Sequence, residues 1–301
     1  NKFSKFTNRL KFFIKHNNSE YVYWIEFYGA RRFCNLKYTP LNIADILRAK
    51  VFQYYDCGIL TSATLSTNKN FAFIKNRAGI DECIEKIYPS PFDYKRQVLL
   101  YINKEIPSPI DYENYIRKIC KEINLILEAT RGRAFILFTS YKTLMDVKEQ
   151  ISDNLEYRLL IQNEMPFHRI VEEFRNDINS VLFGTMSFWE GVDIPGESLS
   201  AVIITRLPFD VPDDPLISAR IEKIRQDNGN PFYEYQLPNA AILLKQGFGR
   251  LIRNKQDRGV VAILDSRILN KSYGKYFLNS LPECRITSNI DDIISFFNIA
   301  R

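Results

Sequence analysis

A parallel α/β sheet with helices on both faces is the fold class this sequence predicts, and two observations carry it. From Gln97 onward, short aliphatic or β-branched runs alternate with stretches at helical spacing. Those runs are apolar throughout, so the strands they form are buried on both sides, as strands of a helix-covered parallel sheet are. Chemistry in such sheets gathers at the carboxyl ends of the strands, which directs attention to the segments that follow them.

Residues 1 to about 92 read as irregular. They begin basic and aromatic, pass through the apolar run YVYWIEFY at 21–28, and hold a helix at 41–52; the apolar CGIL at 57–60 then leads into TSATL at 61–65. Pro89, Ser90 and Pro91 punctuate the chain before the regular pattern starts. VLLYI at 98–102 predicts a strand, and residues 112–129 place Ile116, Ile119, Ile123 and Ile126 at helical spacing. RAFILF at 133–138 predicts a strand and 141–151 a helix. YRLLI at 157–161, a helix over 166–176, VLFGT at 181–185 and AVIIT at 201–205 continue the alternation. Helices follow at about 214–226 and 232–253, and VVAILD at 260–265 is the last clear strand.

Composition narrows the function classes. The 301 residues are 46% hydrophobic and 25% charged, an ordinary globular balance with enough chain to bury a core. The formal net charge is +6. The first 50 residues carry ten Lys and Arg against Glu20, Glu26 and Asp45, so the basic excess lies at that end, either as a nucleic-acid contact or as a solvated face. The cysteines (Cys34, Cys57, Cys83, Cys120, Cys284) are never closer than 23 positions, which excludes a local CxxC ligand set and points to a reducing, cytoplasmic setting. His16 and His168, the two histidines, have no metal or triad motif around them. No run of 18 apolar residues exists, so no membrane span is expected. A start at Asn1 suggests a piece of a longer protein.

Three kinds of segment carry candidate chemistry. Over 242–253, Leu244, Phe248, Leu251 and Ile252 form an apolar stripe, and Gln246, Arg250 and Arg253 fall on the opposite face of the expected helix. Two guanidiniums and an amide aimed together suit a polyphosphate, or else form a solvated face. Gly249 in mid-helix costs about 1 kcal/mol relative to Ala and lets a ligand or a second backbone approach. FGTMSFWEGVDIPG at 183–196 starts as a strand and then sets glycines around polar groups. Thr185 and Ser187 can donate to phosphate oxygens, Glu190 and Asp193 can accept from a ribose hydroxyl or an arginine, and Trp189 is either a stacking platform for a base or a core residue. TSATL at 61–65 and FTSY at 138–141 place small hydroxyl residues after apolar runs, where they hold a ligand or cap the next helix. No GxxxxGK[ST] occurs, and Asp265, at a strand end, is followed by Ser266 rather than a second acid. Alone, this chain is expected not to hydrolyse ATP.

Taken in order, these segments resemble the second half of a superfamily 2 helicase of the DinG/XPD-like group, bacterial DinG type. TSATL resembles motif III, FTSY motif IV, GTMSFWEGVDIPG motif V, and QGFGRLIR at 246–253 the QxxGRxxR form of motif VI. TPLNIADILR at 39–48, SPFDYKRQVLLYI at 90–102, RLPFDVPDDP at 206–215 and ILDSR at 263–267 are similar to the same branch. The resemblance implies a RecA-like second lobe at 93–301 and a remnant of the first lobe at 1–92. It also implies roles. Arg250 and Arg253 reach the γ-phosphate of ATP, and Gln246 positions the phosphates or the attacking water. Glu190, Gly191 and Asp193, with Gly249, belong to the nucleotide side. Thr139, Ser140 and Thr185 hold single-stranded DNA, and Ser62 and Thr64 relay closure of the lobes. ATP and Mg²⁺ are held mainly by the absent first lobe, where the iron–sulfur ligands of many relatives also lie. The implied activity is 5′→3′ translocation and unwinding in DNA repair. The alternative is a nucleotide-gated DNA-binding module regulating an attached 3′→5′ exonuclease.

Overall fold

A computed structural model of the chain describes residues 2–29, 32–151, 155–189 and 199–298. The chain divides into two compact units, one of residues 1–66, 70–85 and 210–239, the other of residues 67–69, 86–209 and 240–301. The units are not consecutive stretches of chain: residues 210–239 join the first and residues 67–69 the second. Helix α8 (Pro215–Gln226), capped by Asp214 through the Leu216 and Ile217 amides, packs on strand β1 (Tyr21–Tyr28) within the first unit. There Arg220 Nε donates to the Leu41 carbonyl at 2.9 Å, and Lys223 lies 3.6 Å from Glu20.

The first unit is more regular than its sequence suggests. It holds α1 (Lys2–Lys15), an antiparallel hairpin of β1 (Tyr21–Tyr28) and β2 (Phe33–Pro40), α2 (Ala44–Lys50) and α3 (Ala72–Ala78). Tyr21 pairs with Pro40 and Tyr28 with Phe33, and Gly29, at φ +61°, begins the turn between the strands. Aromatic residues hold the hairpin to α1. The Phe12 ring lies 5.1 Å from Tyr21 and 4.9 Å from Tyr38.

The second unit is built on seven parallel strands: β3 (Val98–Tyr101), β4 (Ala134–Leu137), β5 (Leu159–Ile161), β6 (Val181–Gly184), β7 (Ala201–Ile204), β8 (Gly259–Ile263) and β9 (Arg285–Thr287). Their order is β5-β6-β4-β7-β8-β3-β9. Alternate residues serve opposite faces. Ile136, Phe138, Phe183 and Ile203 join one cluster with Ile119, Ile123 and Ile126 of α5 (Tyr112–Thr130), Leu144 and Val147 of α6 (Tyr141–Ile151), and Ile293 and Phe296 of α12 (Ile290–Asn298). On the other face Phe135 meets Phe188, and Leu137 lies under Gly247 of α9 (Leu237–Phe248). Each such side chain contributes about 1.5–3 kcal/mol by burial, which is why the strands are apolar along their whole length.

The helix expected over 232–253 differs at both ends. It opens as a π-helical turn, Phe232–Gln236, and the α-helix stops at Phe248. Gly249 still donates to Lys245, but the Arg250 amide turns back to Gly247 at 3.2 Å and that of Leu251 to Phe248 at 3.4 Å, a tightening to three-residue spacing. Gly247 and Gly249, both poor helix formers, weaken the last turn. Leu251 and Ile252 are drawn into the core.

Candidate functional site

At the carboxyl edge of the sheet, four neighbouring strands run out into polar residues. β5 is followed by Gln162, β6 by Thr185, β4 by Thr139 and Ser140 beyond Phe138, and β7 by Thr205. The ladder carries the backbone to this edge, with the Phe138 amide donating to Gly184 at 2.8 Å and the Gln162 amide to Phe183 at 3.0 Å. Thr205 is buried and spends its hydroxyl on the Leu137 carbonyl at 3.0 Å. Ser140 caps α6, its Oγ accepting the Thr143 amide at 3.1 Å, so its hydroxyl oxygen serves the helix. Thr139 is half-buried beside it.

Gln162, which sequence reasoning missed, organises the start of the segment after β6. Its Oε1 accepts from the Thr185 amide at 2.6 Å and from the Thr185 hydroxyl at 2.9 Å, while its Nε2 donates to Ser187 Oγ at 3.0 Å. The one signal in the sequence is its place directly after an apolar strand.

Trp189 is a core residue. It is 0% exposed, and its indole Nε1 donates to the Phe138 carbonyl at 3.3 Å, so no ring face is presented to a base. A Cβ on Gly247 would lie 3.1 Å from the indole ring and from Leu137, so the close approach expected at Gly249 belongs to Gly247. The Arg250 Nε donates to the Trp189 carbonyl at 3.0 Å, and its Nη2 reaches the same oxygen. Trp189 thus ties together the segments 138–141, 184–189 and 246–253.

Because α9 ends at Phe248, Gln246, Arg250 and Arg253 do not share a face of one helix. Gln246 is on the last turn, and its Oε1 is buried with no hydrogen-bond partner among the described residues. Arg250 is half-buried in the turn that follows. Arg253 is exposed, in a loop whose shape is set by Asp257: the Asp257 carboxylate accepts the Arg253 and Asn254 amides at 2.6 and 2.8 Å. Burial draws the neighbouring Lys245 ammonium below its ordinary pKa. Glu190, Gly191 and Asp193 lie outside the described residues. In the other unit Ser62 and Thr64 are both exposed, or nearly so, and their hydroxyls are 3.1 Å apart.

Asp265 is fully buried at the end of β8, and its carboxylate is saturated. It accepts the Leu207 amide at 2.9 Å and the Arg267 Nε and Nη2 at 2.9 and 2.6 Å, fixing the turn after β7. Among the described residues no group of three or more His, Cys, Asp or Glu is placed to hold a metal ion, and no helix is long and apolar enough to cross a membrane.

Residues 123–284 match the model of a family described as the helicase C-terminal domain. The chain is 40% identical over 294 residues to the ATP-dependent DNA helicase YoaA of Escherichia coli (strain K12), an alignment covering 98% of this chain and 46% of YoaA. It is 33% identical over 292 residues to the 3'-5' exonuclease DinG of Bacillus subtilis (strain 168), covering 93% of this chain and 31% of that protein. A solved XPD helicase superposes with a TM-score of 0.61 at 18% identity, over 84% of this chain and 46% of that one. This last likeness speaks for the fold alone, the parallel α/β lobe of a helicase. The chain spans less than half the length of each of these relatives. With the family match running over more than half of the chain, and with three of the four motif segments meeting at Trp189, the chain belongs to the helicase C-terminal domain family, in its DinG/YoaA type.

Proposed function

We propose that this chain supplies the nucleotide-sensing arginines and part of the single-stranded DNA track of an ATP-dependent DNA helicase. The observation that carries the reading is the bond from Arg250 to the Trp189 carbonyl, which joins the arginine-bearing turn directly to the segment that holds Thr185 and Ser187. A shift of one moves the other, which is the coupling a motor needs between nucleotide and DNA.

Arg250 and Arg253 fit a nucleotide phosphate, and Gln246 fits the water beside it. Gln246 has a buried amide oxygen lacking a partner among the described residues, an acceptor suited to a water or a donor on a ligand. Arg250 and Arg253 follow within seven positions and bring two permanent positive charges. ATP hydrolysis supplies the free energy. On this reading Arg250 and Arg253 stabilise the charge on the γ-phosphate, Gln246 orients the attacking water, and Glu190, Gly191 and Asp193 continue the link from nucleotide to DNA. Mg²⁺ and the remaining phosphate contacts belong to a first lobe of which residues 1–92 are a remnant, with Ser62 and Thr64 relaying closure. Thr139, Thr185 and Ser187 line the DNA track, and Trp189 supports it from beneath.

The test is strand separation by a full-length protein carrying this chain. ATP-dependent unwinding of a tailed duplex, lost in Arg250→Ala and Arg253→Ala, is expected; wild-type unwinding in both variants would sink the assigned roles. The likeness to the Bacillus subtilis exonuclease DinG favours a second reading, a nucleotide-gated DNA-binding module that regulates an attached 3′→5′ exonuclease. ATP-dependent change of nuclease rate without strand separation is the result that selects it.

A further inference from the structure

We propose that Gln162 sets the direction of the hydrogen bonds at the end of β6, so that Ser187, rather than Thr185, offers its hydroxyl hydrogen to a nucleic-acid phosphate. The inference rests on the DNA track proposed above and sorts the residues within it.

The argument follows from which groups can only donate. A primary amide has one accepting end and one donating end. The Thr185 backbone N–H is an obligate donor and lies 2.6 Å from one end of Gln162, so that end is the oxygen. The same oxygen receives the Thr185 hydroxyl at 2.9 Å. The other end is then the NH₂ group, which donates to Ser187 Oγ at 3.0 Å.

The outcome for the two hydroxyls is opposite. Thr185 spends its one hydroxyl hydrogen on Gln162 and turns only lone pairs elsewhere. Ser187 receives a hydrogen from Gln162 and keeps its own. Its side chain is exposed, and no acceptor among the described residues takes that hydrogen. The non-bridging oxygens of a phosphodiester only accept, so they are attracted to Ser187 and not to Thr185. Gln162 is a positioning residue: it acts on the backbone phosphate through Ser187.

Binding of a labelled oligothymidylate to the full chain at low salt, read by fluorescence anisotropy, tests this. Ser187→Ala is expected to weaken binding about three- to tenfold. Ser187→Thr, which keeps a hydroxyl, restores it to within about twofold, and Thr185→Val costs less than Ser187→Ala. Gln162→Glu presents a second acceptor to Ser187 and captures its hydrogen. In that background Ser187→Ala is expected to add less than about twofold, because the hydrogen is already spent. A Thr185→Val loss equal to or larger than that of Ser187→Ala overturns the proposal, as does a full Ser187→Ala loss in the Gln162→Glu background. Because Ser187 is exposed, its Ala and Thr replacements leave the core untouched, and their comparison decides the matter even where Gln162→Glu perturbs the loop. Absence of oligothymidylate binding by the wild-type chain is a different result: it removes the DNA track itself, and this inference with it.

Discussion

The guanidinium of Arg250 and the carbonyl oxygen of Trp189 are joined by a 3.0 Å hydrogen bond from Nε, with Nη2 directed at the same oxygen. Arg250 therefore has a structural partner as well as its proposed partner in the nucleotide, while Arg253 is exposed. The two arginines should separate experimentally. In a full-length protein, Arg250→Ala is expected to lower kcat for ATP hydrolysis about 10³-fold. It should also lower stability by about 1–3 kcal/mol, because a buried carbonyl loses its donor. Arg253→Ala is expected to lower kcat while leaving stability within about 0.5 kcal/mol, as exposed substitutions do. Steady-state hydrolysis and urea unfolding on the same preparations check both. Equal loss of stability in the two variants contradicts the different placements.

The close approach expected from the sequence at Gly249 falls at Gly247. A Cβ at Gly247 would meet Leu137 Cδ1 and the Trp189 ring at 3.1 Å, and both side chains are fully buried. At Gly249 a Cβ would meet only the Lys245 and Gln246 carbonyl oxygens, at 3.3 and 3.6 Å, beyond the end of the helix. Gly247→Ala is expected to destabilise the chain by about 1–3 kcal/mol and Gly249→Ala by less than about 1 kcal/mol. The measurement is the urea midpoint at constant slope, and the reverse ranking would place the close approach at Gly249 after all.

The parallel sheet was legible because burial on both faces leaves an unambiguous apolar signature: the strands at 98–101, 134–137, 181–184 and 201–204 each lie within a run predicted from sequence, and the strand at 259–263 begins one residue before the run predicted at 260–265. The hairpin at 21–28 and 33–40 was not: the run YVYWIEFY is apolar at nearly every position and so hides its alternation, although Tyr21, Tyr23 and, across the ladder, Tyr38 share the face that meets Phe12 of α1. The sequence around Arg250 predicts one helix because Leu244, Phe248, Leu251 and Ile252 keep helical spacing. Spacing records which residues are buried, not whether the backbone bonds continue, and here the turn at 249–251 buries the same side chains without a helix. Gln162 escaped notice because a lone glutamine carries no pattern; its importance comes from three bonds to a segment more than twenty residues away.

Trp189 as a core residue has a spectroscopic consequence. The chain has two tryptophans, and Trp24 is half-buried on the hairpin beside Lys37. In a Trp24→Phe variant, the remaining emission is expected to be blue-shifted, resistant to iodide quenching, and unchanged on adding single-stranded DNA. Quenching by DNA together with access to iodide would restore the stacking role that burial denies it. Trp189→Phe is expected to cost about 1–3 kcal/mol in stability through the lost indole volume and its bond to Phe138.

The cysteines separate by environment. Burial raises the Cys120 thiol from 9.0 to about 12 and, with the Glu283 carboxylate adding to it, the Cys284 thiol from 9.0 to about 11. Cys34, Cys57 and Cys83 are exposed. At pH 8 a thiol-disulfide reagent is expected to modify those three rapidly and the other two only on unfolding, since the thiolate is the reacting form. The same shifts set a pH dependence of stability. Above pH 9 the unfolded chain releases these two protons while the folded chain retains them, so unfolding is favoured as pH rises. The contribution is level below pH 9 and declines from there to about pH 11 for Cys284 and about pH 12 for Cys120. Urea midpoints followed upward from pH 8, in the wild type and in Cys120→Ala, read the effect: the decline is expected to be shallower in the variant. A decline of the same slope in both would mean that burial of Cys120 does not hold its proton.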